Sequence, residues 1–205
     1  MKHFTLTSLI PVFIFMAPDL KLNAAQAPPG ASLPHTLGPA NAPVTLEMFG
    51  DFQCPQCANV EPIVKKLQNE FGDKLRVVFR HFPIEKHENA TLAACAAEAA
   101  ARQGKFWEMA DALFRTQWMW GKAPAPRTAL IDRAKELGLN VPQFEDDLDA
   151  ASTRARVDAD TARGAALGVK STPSIFINGY FVPNPEFNEN GFRAAIQAAL
   201  TKSGQ

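Results

Sequence analysis

The segment Leu75-Arg76-Val77-Val78-Phe79-Arg80 alternates its side chains, and Val44-Thr45-Leu46-Glu47-Met48-Phe49 is bounded by Pro43 and Gly50. Both read as strands. Between them Val60, Ile63, Val64, Leu67 and Phe71 recur at helical spacing, and Gly72 stands where a helix C-terminus is usually released. Strand, helix and strand at this length predict a right-handed parallel crossover.

From about His87 to Gly168 the pattern is almost wholly helical. Ala90 to Gln103 is alanine-rich, while Phe106, Trp107, Met109, Ala110, Leu113 and Phe114 mark one apolar face. Leu130, Ile131, Ala134 and Leu137 mark another that ends at Gly138. A short segment opened by Pro142 and a longer one opened by Ser152 complete the block. Strands then return as Ser174 to Ile177 and Tyr180 to Val182, joined by Asn178-Gly179 into a hairpin, and Phe192 to Leu200 forms a last amphipathic helix. Residues 28–43 hold Pro28, Pro29, Gly30, Pro34, Gly38, Pro39 and Pro43, a breaker-rich linker, so the fold proper is expected to begin at Val44.

Composition narrows the function. The 205 residues are 46% hydrophobic, enough for a core, and 21 basic residues balance 21 acidic ones. That balance provides no basic field for a nucleic-acid backbone. At the N-terminus, Met1-Lys2-His3 precedes a mostly apolar run from Phe4 to Ala17, followed by small residues at Ala25-Gln26-Ala27. The run is shorter than the roughly 20 residues of a spanning helix, so residues 1–27 read as an export signal, against a buried first helix or an uncleaved anchor. No later segment is long and apolar enough to span a membrane.

The chain has three cysteines, Cys54, Cys57 and Cys95. Cys54-Pro55-Gln56-Cys57 follows one predicted strand and opens a predicted helix, making Cys54 the N-cap and Pro55 the first helical residue. Residues three apart on a helix share a face about 5–6 Å apart, a separation that suits a disulfide. Unpaired N–H groups at the helix start, together with the dipole, stabilise a thiolate at Cys54. Cys54 is therefore the expected nucleophile and Cys57 the resolving thiol. A structural disulfide or half of a zinc site are the alternatives, although no second ligand pair completes a zinc site and no metal is expected.

Several separated motifs, in order, extend this reading. Phe49-Gly50-Asp51-Phe52-Gln53-Cys54-Pro55-Gln56-Cys57, Arg80-His81-Phe82-Pro83-Ile84, the alanine-rich Ala93 to Ala101 leading into Gln103-Gly104-Lys105-Phe106-Trp107, and Gly168 through Gly179 together resemble the DsbA-like thiol:disulfide oxidoreductases of the thioredoxin superfamily. The resemblance covers about residues 40–200. It implies an α/β thioredoxin fold over residues 44–86 and 169–205, with an inserted all-helical domain over 87–168. It further implies a cis Thr172-Pro173 bond, where sequence alone favours trans, with Thr172 contacting bound peptide beside the reactive cysteine.

The implied activity is exchange of the Cys54-Cys57 disulfide with cysteines of other exported, periplasmic proteins, as a disulfide donor reoxidised by a membrane partner of the DsbB or vitamin K epoxide reductase type. A reductase or isomerase kept reduced by a membrane donor is the alternative within the same chemistry; a peptide-binding chaperone with structural cysteines is the alternative outside it. No cofactor is expected, because the electrons reside on the two sulfurs.

Two positions depart from the family pattern. Many relatives carry an acid six positions before the first cysteine that assists proton transfer beneath the disulfide, yet Met48 occupies that place; the neighbouring acid, Glu47, which strand alternation points to the opposite face, is carried as a candidate for that role. Gln56 offers neutral hydrogen bonding where strongly oxidising relatives often have histidine. Cys95, among alanines, reads as a small buried residue. Trp118-Met119-Trp120 reads as a core or loop anchor, or else as an apolar docking surface, and His81 and His87 read as structural. Asn89-Ala90-Thr91 matches a glycosylation acceptor, a pattern short enough to arise by chance.

Overall fold

The computed structural model describes residues 27–204, so the expected export signal lies almost wholly outside the described residues. The strands are β1 (His35–Leu37), β2 (Val44–Gly50), β3 (Leu75–His81), β4 (Ser174–Ile177) and β5 (Tyr180–Val182). They form one sheet in the order β1-β3-β2-β4-β5. β2 and β3 run parallel from Val44 opposite Leu75 to Gly50 opposite His81, and the other neighbours are antiparallel. The predicted crossover is α1 (Pro55–Phe71), released at Gly72, whose φ of 54° favours glycine.

Strand alternation divides the sheet into two faces. Val44, Leu46, Met48, Leu75, Val77 and Phe79 pack with Val60, Val64 and Leu67 of α1 and with Phe192 and Ile196 of α8 (Glu189–Lys202). The opposite face carries Glu47, Phe49 and Arg80 and meets α7 (Ala151–Ala166). Gly164 lets α7 approach closely: a Cβ there would lie 2.6 Å from the Phe82 ring.

Between β3 and β4 lie α2 (Ala90–Ala101), α3 (Phe106–Arg115), α4 (Gln117–Trp120), α5 (Pro126–Glu136), α6 (Val141–Asp149) and α7. α2 is buried almost all round, because its alanines let α3, α6 and α7 press against it. Cys95 is among the buried α2 residues, and burial pushes its thiol up to about 11, in keeping with a packing role.

The expectation that the fold begins at Val44 is corrected. Residues 28–33 run along α7, and β1 follows as an edge strand on β3. Prolines flank this strand without interrupting it, as an edge allows. The preceding stretch borrows its hydrogen bonds from side chains: Arg80 donates to the Pro29 and Ala31 carbonyls at 3.1 and 3.0 Å, and Arg163 to that of Pro28 at 3.0 Å. Arg156 donates to the Ser32 carbonyl at 2.8 Å, and Asp160 accepts from the Ala31 N–H at 2.8 Å.

Candidate active site

β2 delivers Asp51, Phe52 and Gln53 to the start of α1. The Asp51 carboxylate, 2% exposed, accepts from the N–H groups of Gln53 and Ile84 at 2.7 and 2.9 Å, and pairs with His87 Nδ1 at 2.7 Å. The Asp51 carbonyl accepts from Cys54 N at 3.0 Å. This fixes the turn that makes Cys54 the N-cap and Pro55 the first helical residue, as expected.

Cys54 is 6% exposed and Cys57 fully buried, and both are free thiols. The Cys54 thiol donates to the Thr172 carbonyl at 3.2 Å, so the Thr172-Pro173 loop lies directly over the reactive sulfur, and the bond between these residues is cis. Thr172 Oγ1 is buried beside the two sulfurs with no nitrogen or oxygen partner.

The two thiols are driven apart electrostatically. A hydrogen bond from the Cys57 thiol, then the Thr172 hydroxyl and the N–H groups of Cys57 and Gln56, outweigh burial and bring Cys54 down to about 5. Burial first, then the hydrogen bond and charge of Cys54, hold Cys57 well above the usual thiol range. Gln56 acts through its backbone N–H, and its side chain is exposed.

Alkylation of the reduced chain by iodoacetamide is therefore expected to modify Cys54 alone, with a rate that falls half-way as pH drops to about 5. The linkage has a definite sign. A depressed thiol stabilises the folded chain above its unfolded value of about 9, and that stability is lost as pH falls through about 5. Acidification across this window should thus lower the melting temperature of the reduced chain relative to the oxidised one.

Glu47 does not reach the thiols. Its carboxylate accepts from Arg80 at 3.0 Å and from Arg163 at 2.8 and 2.9 Å, on the sheet face that alternation assigns it. Although burial opposes ionisation, the arginines hold the carboxyl below its ordinary range, as fits an ion pair that ties β2 to α7. As a candidate for proton transfer to the cysteines, Glu47 is thus corrected to a structural role. Met48 packs in the same core as both cysteines.

Three amides to which the sequence assigns no part in the site hold it together. Gln117 Nε2 donates to the carbonyls of Phe52 and Cys54 at 2.7 and 2.9 Å. Gln53 donates to the Gly121 carbonyl at 2.8 Å and accepts from Asn89 N at 2.9 Å. The Asn89 side chain donates to the same Gly121 carbonyl at 3.1 Å, which gives this amide a structural task. α4 is thereby fastened to the reactive turn, and its aromatic cluster divides. Trp120 is buried with its indole N–H on the Leu113 carbonyl at 2.9 Å, whereas Trp118 is 80% and Met119 43% exposed. Of the two histidines, His87 reaches the reactive turn through Asp51, while His81 lies in a separate cluster with Glu98.

Comparison with known proteins decides the family. A family model described as Thioredoxin matches residues 31–198. The chain belongs to the thioredoxin family. It is 29% identical to a thioredoxin-like oxidoreductase from Silicibacter pomeroyi, with a TM-score of 0.71 over 82% of this chain and 92% of that one. The fold also matches alpha-DsbA1 of Wolbachia pipientis, at 19% identity and a TM-score of 0.73 over 84% of this chain and 93% of that one. The helical block between β3 and β4 is thus the DsbA-like insertion of a thioredoxin fold, and the family's DsbA-like members are thiol:disulfide oxidoreductases. Among curated sequences the chain is 39% identical over 154 residues to the Na(+)/H(+) antiporter NhaA of Herminiimonas arsenicoxydans. That match takes in 75% of this chain, which spans about a quarter (24%) of the antiporter's length. Among the described residues no helix is long and apolar enough to cross a membrane.

Proposed function

We propose that this chain is an exported, periplasmic disulfide donor that uses Cys54 and Cys57. The observation that carries the reading is geometric: Cys54 caps the start of α1 with its sulfur 3.2 Å from the Thr172 carbonyl and Cys57 buried one turn along, an arrangement that favours ionisation of the first thiol and opposes that of the second. A substrate thiolate attacks Cys54 Sγ of the oxidised pair, and the Cys54–Cys57 bond breaks. Cys57 leaves as a thiolate and takes up a proton, as its raised pKa favours. A second substrate thiolate then attacks the substrate sulfur of the mixed disulfide, and Cys54 departs as the low-pKa leaving group. The substrate loses two electrons, which the reduced pair retains until a membrane partner of the DsbB or vitamin K epoxide reductase type removes them.

Pro55 presets the helix start, Gln56 supplies an N–H, and the Thr172-Pro173 loop presents backbone and hydroxyl to the reacting sulfur. The exposed Trp118 and Met119 lie next to Gln117, which touches the Cys54 carbonyl, and so offer an apolar seat for unfolded cysteine-containing substrates. Trp118→Ala should raise the KM for a reduced peptide by roughly 3–10-fold while leaving alkylation of Cys54 unchanged. An unchanged KM would remove Trp118 from substrate binding.

The test of the reading is oxidative refolding of a reduced, denatured protein by the stoichiometrically oxidised chain. Transfer of one disulfide per chain supports donation. Aggregation suppressed equally well by a Cys54→Ser variant, without transfer, would favour the chaperone reading.

A further inference from the structure

Away from the thiols, three side chains from separate segments converge. His35 comes from edge strand β1, His81 from the last position of β3 and Glu98 from α2. One ligand atom from each lies within 4.8 Å of the other two. Glu98 Oε1 is 2.9 Å from His35 Nε2 and 3.0 Å from His81 Nε2. Arg156 Nε holds the other carboxylate oxygen at 2.7 Å, which turns Oε1 toward both rings. The His35 ring is stacked on Phe106 with centroids 3.4 Å apart. His81 is fully buried and has Phe52, Phe79 and Phe106 around it.

We infer that His35, His81 and Glu98 form a binding site for a divalent late first-row transition-metal ion, of which zinc is the reference case. Two imidazoles and a carboxylate are the donor set of three-ligand zinc sites. Zinc holds such ligands at about 2.0–2.2 Å, hence roughly 3.3–3.5 Å from one another, so Glu98 Oε1 has to withdraw by a few tenths of an ångström from each Nε2 while the two imidazole nitrogens, within 4.8 Å of one another, draw together around the ion. Calcium and magnesium take oxygen ligands and are disfavoured by the imidazoles. His35 and Glu98 line a surface hollow together with Pro34, Phe106 and Arg156, through which an ion can reach the site, while His81 closes it from the buried side. Carboxylate orientation by Arg156 and ring orientation by Phe106 supply the outer support that metal ligands require.

Two features limit affinity. An ion replaces the protons on both Nε2 atoms, so His81 carries its remaining proton on Nδ1, an atom buried without a partner. The Arg156 charge also opposes the ion. The consequence of binding is mechanical: the ion joins β1 to β3 and α2, and so fixes the N-terminal stretch against the fold.

The test uses the full chain with Cys54→Ser and Cys57→Ser, so that the active-site thiols bind no metal. Isothermal titration with zinc chloride should show one saturable site per chain, together with a raised melting temperature that magnesium does not reproduce. His35→Gln retains an N–H for Glu98 but lacks the imidazole. It should weaken zinc binding at least as much as the roughly 10–100-fold loss seen when an outer partner is removed. In the chain with both histidines, zinc should shift the ring NMR signals of His35 and His81 and leave those of His87 in place. Absence of saturable binding, equal affinity in His35→Gln, or unmoved His35 and His81 signals would each overturn the inference.

Discussion

Cys54→Ser is expected to reduce disulfide transfer to the background of uncatalysed exchange. A serine oxygen forms no bond to a substrate sulfur under these conditions, and its hydroxyl stays protonated where the Cys54 thiol ionises at about 5. The partner substitution should behave differently. Cys57→Ser leaves Cys54 able to attack a substrate disulfide but removes the resolving thiol, so a mixed disulfide at Cys54 should accumulate and register as added mass. Full activity in Cys54→Ser, or a mixed disulfide that accumulates on Cys57 in Cys54→Ser and not on Cys54 in Cys57→Ser, would reverse the assigned roles.

Asp160→Ala is expected to cost about 3–5 kcal/mol of folding stability, read as a lower urea midpoint. The Asp160 carboxylate is 1% exposed and satisfies three donors: Ala31 N at 2.8 Å, Arg80 Nη1 at 2.8 Å and His81 N at 3.2 Å. Truncation leaves the 7% exposed Arg80 with a reduced set of acceptors and releases the stretch before β1 from α7. A midpoint within experimental scatter of the parent would show that the Glu47–Arg80–Arg163 group alone anchors this face.

The reactive turn was legible because its logic is local. Strand end, N-cap, proline and second cysteine lie within one run of sequence, and helix geometry places the two sulfurs. Alternation alone also sent Glu47 to the face away from the cysteines, where Arg80 and Arg163 meet it. The supports of the turn left no such trace. Gln117 reaches Cys54 across 63 positions and Gln53 reaches Gly121 across 68, and no periodic pattern marks contacts made by one amide at a time. β1 was hidden for a different reason. Three residues between prolines show no alternation, and the stretch that leads into this strand is held by arginines that the sequence places far away. Trp118, Met119 and Trp120 could not all share one environment, because consecutive positions of a helical turn point in different directions.

The reduction potential of the Cys54–Cys57 pair, measured by equilibration in glutathione buffers at pH 7, tests the central claim most directly. Lowering Cys54 from 9.0 to about 5 favours the reduced pair at pH 7 by at most roughly 100-fold, about 60 mV for a two-electron couple. Known potentials run from about −270 mV for thioredoxin to about −120 mV for DsbA. Raised by that 60 mV, the thioredoxin figure becomes about −210 mV, so a value at or above about −210 mV, toward the DsbA end, is expected of a disulfide donor. A value at or below about −230 mV would contradict donation and assign the pair to reduction or isomerisation.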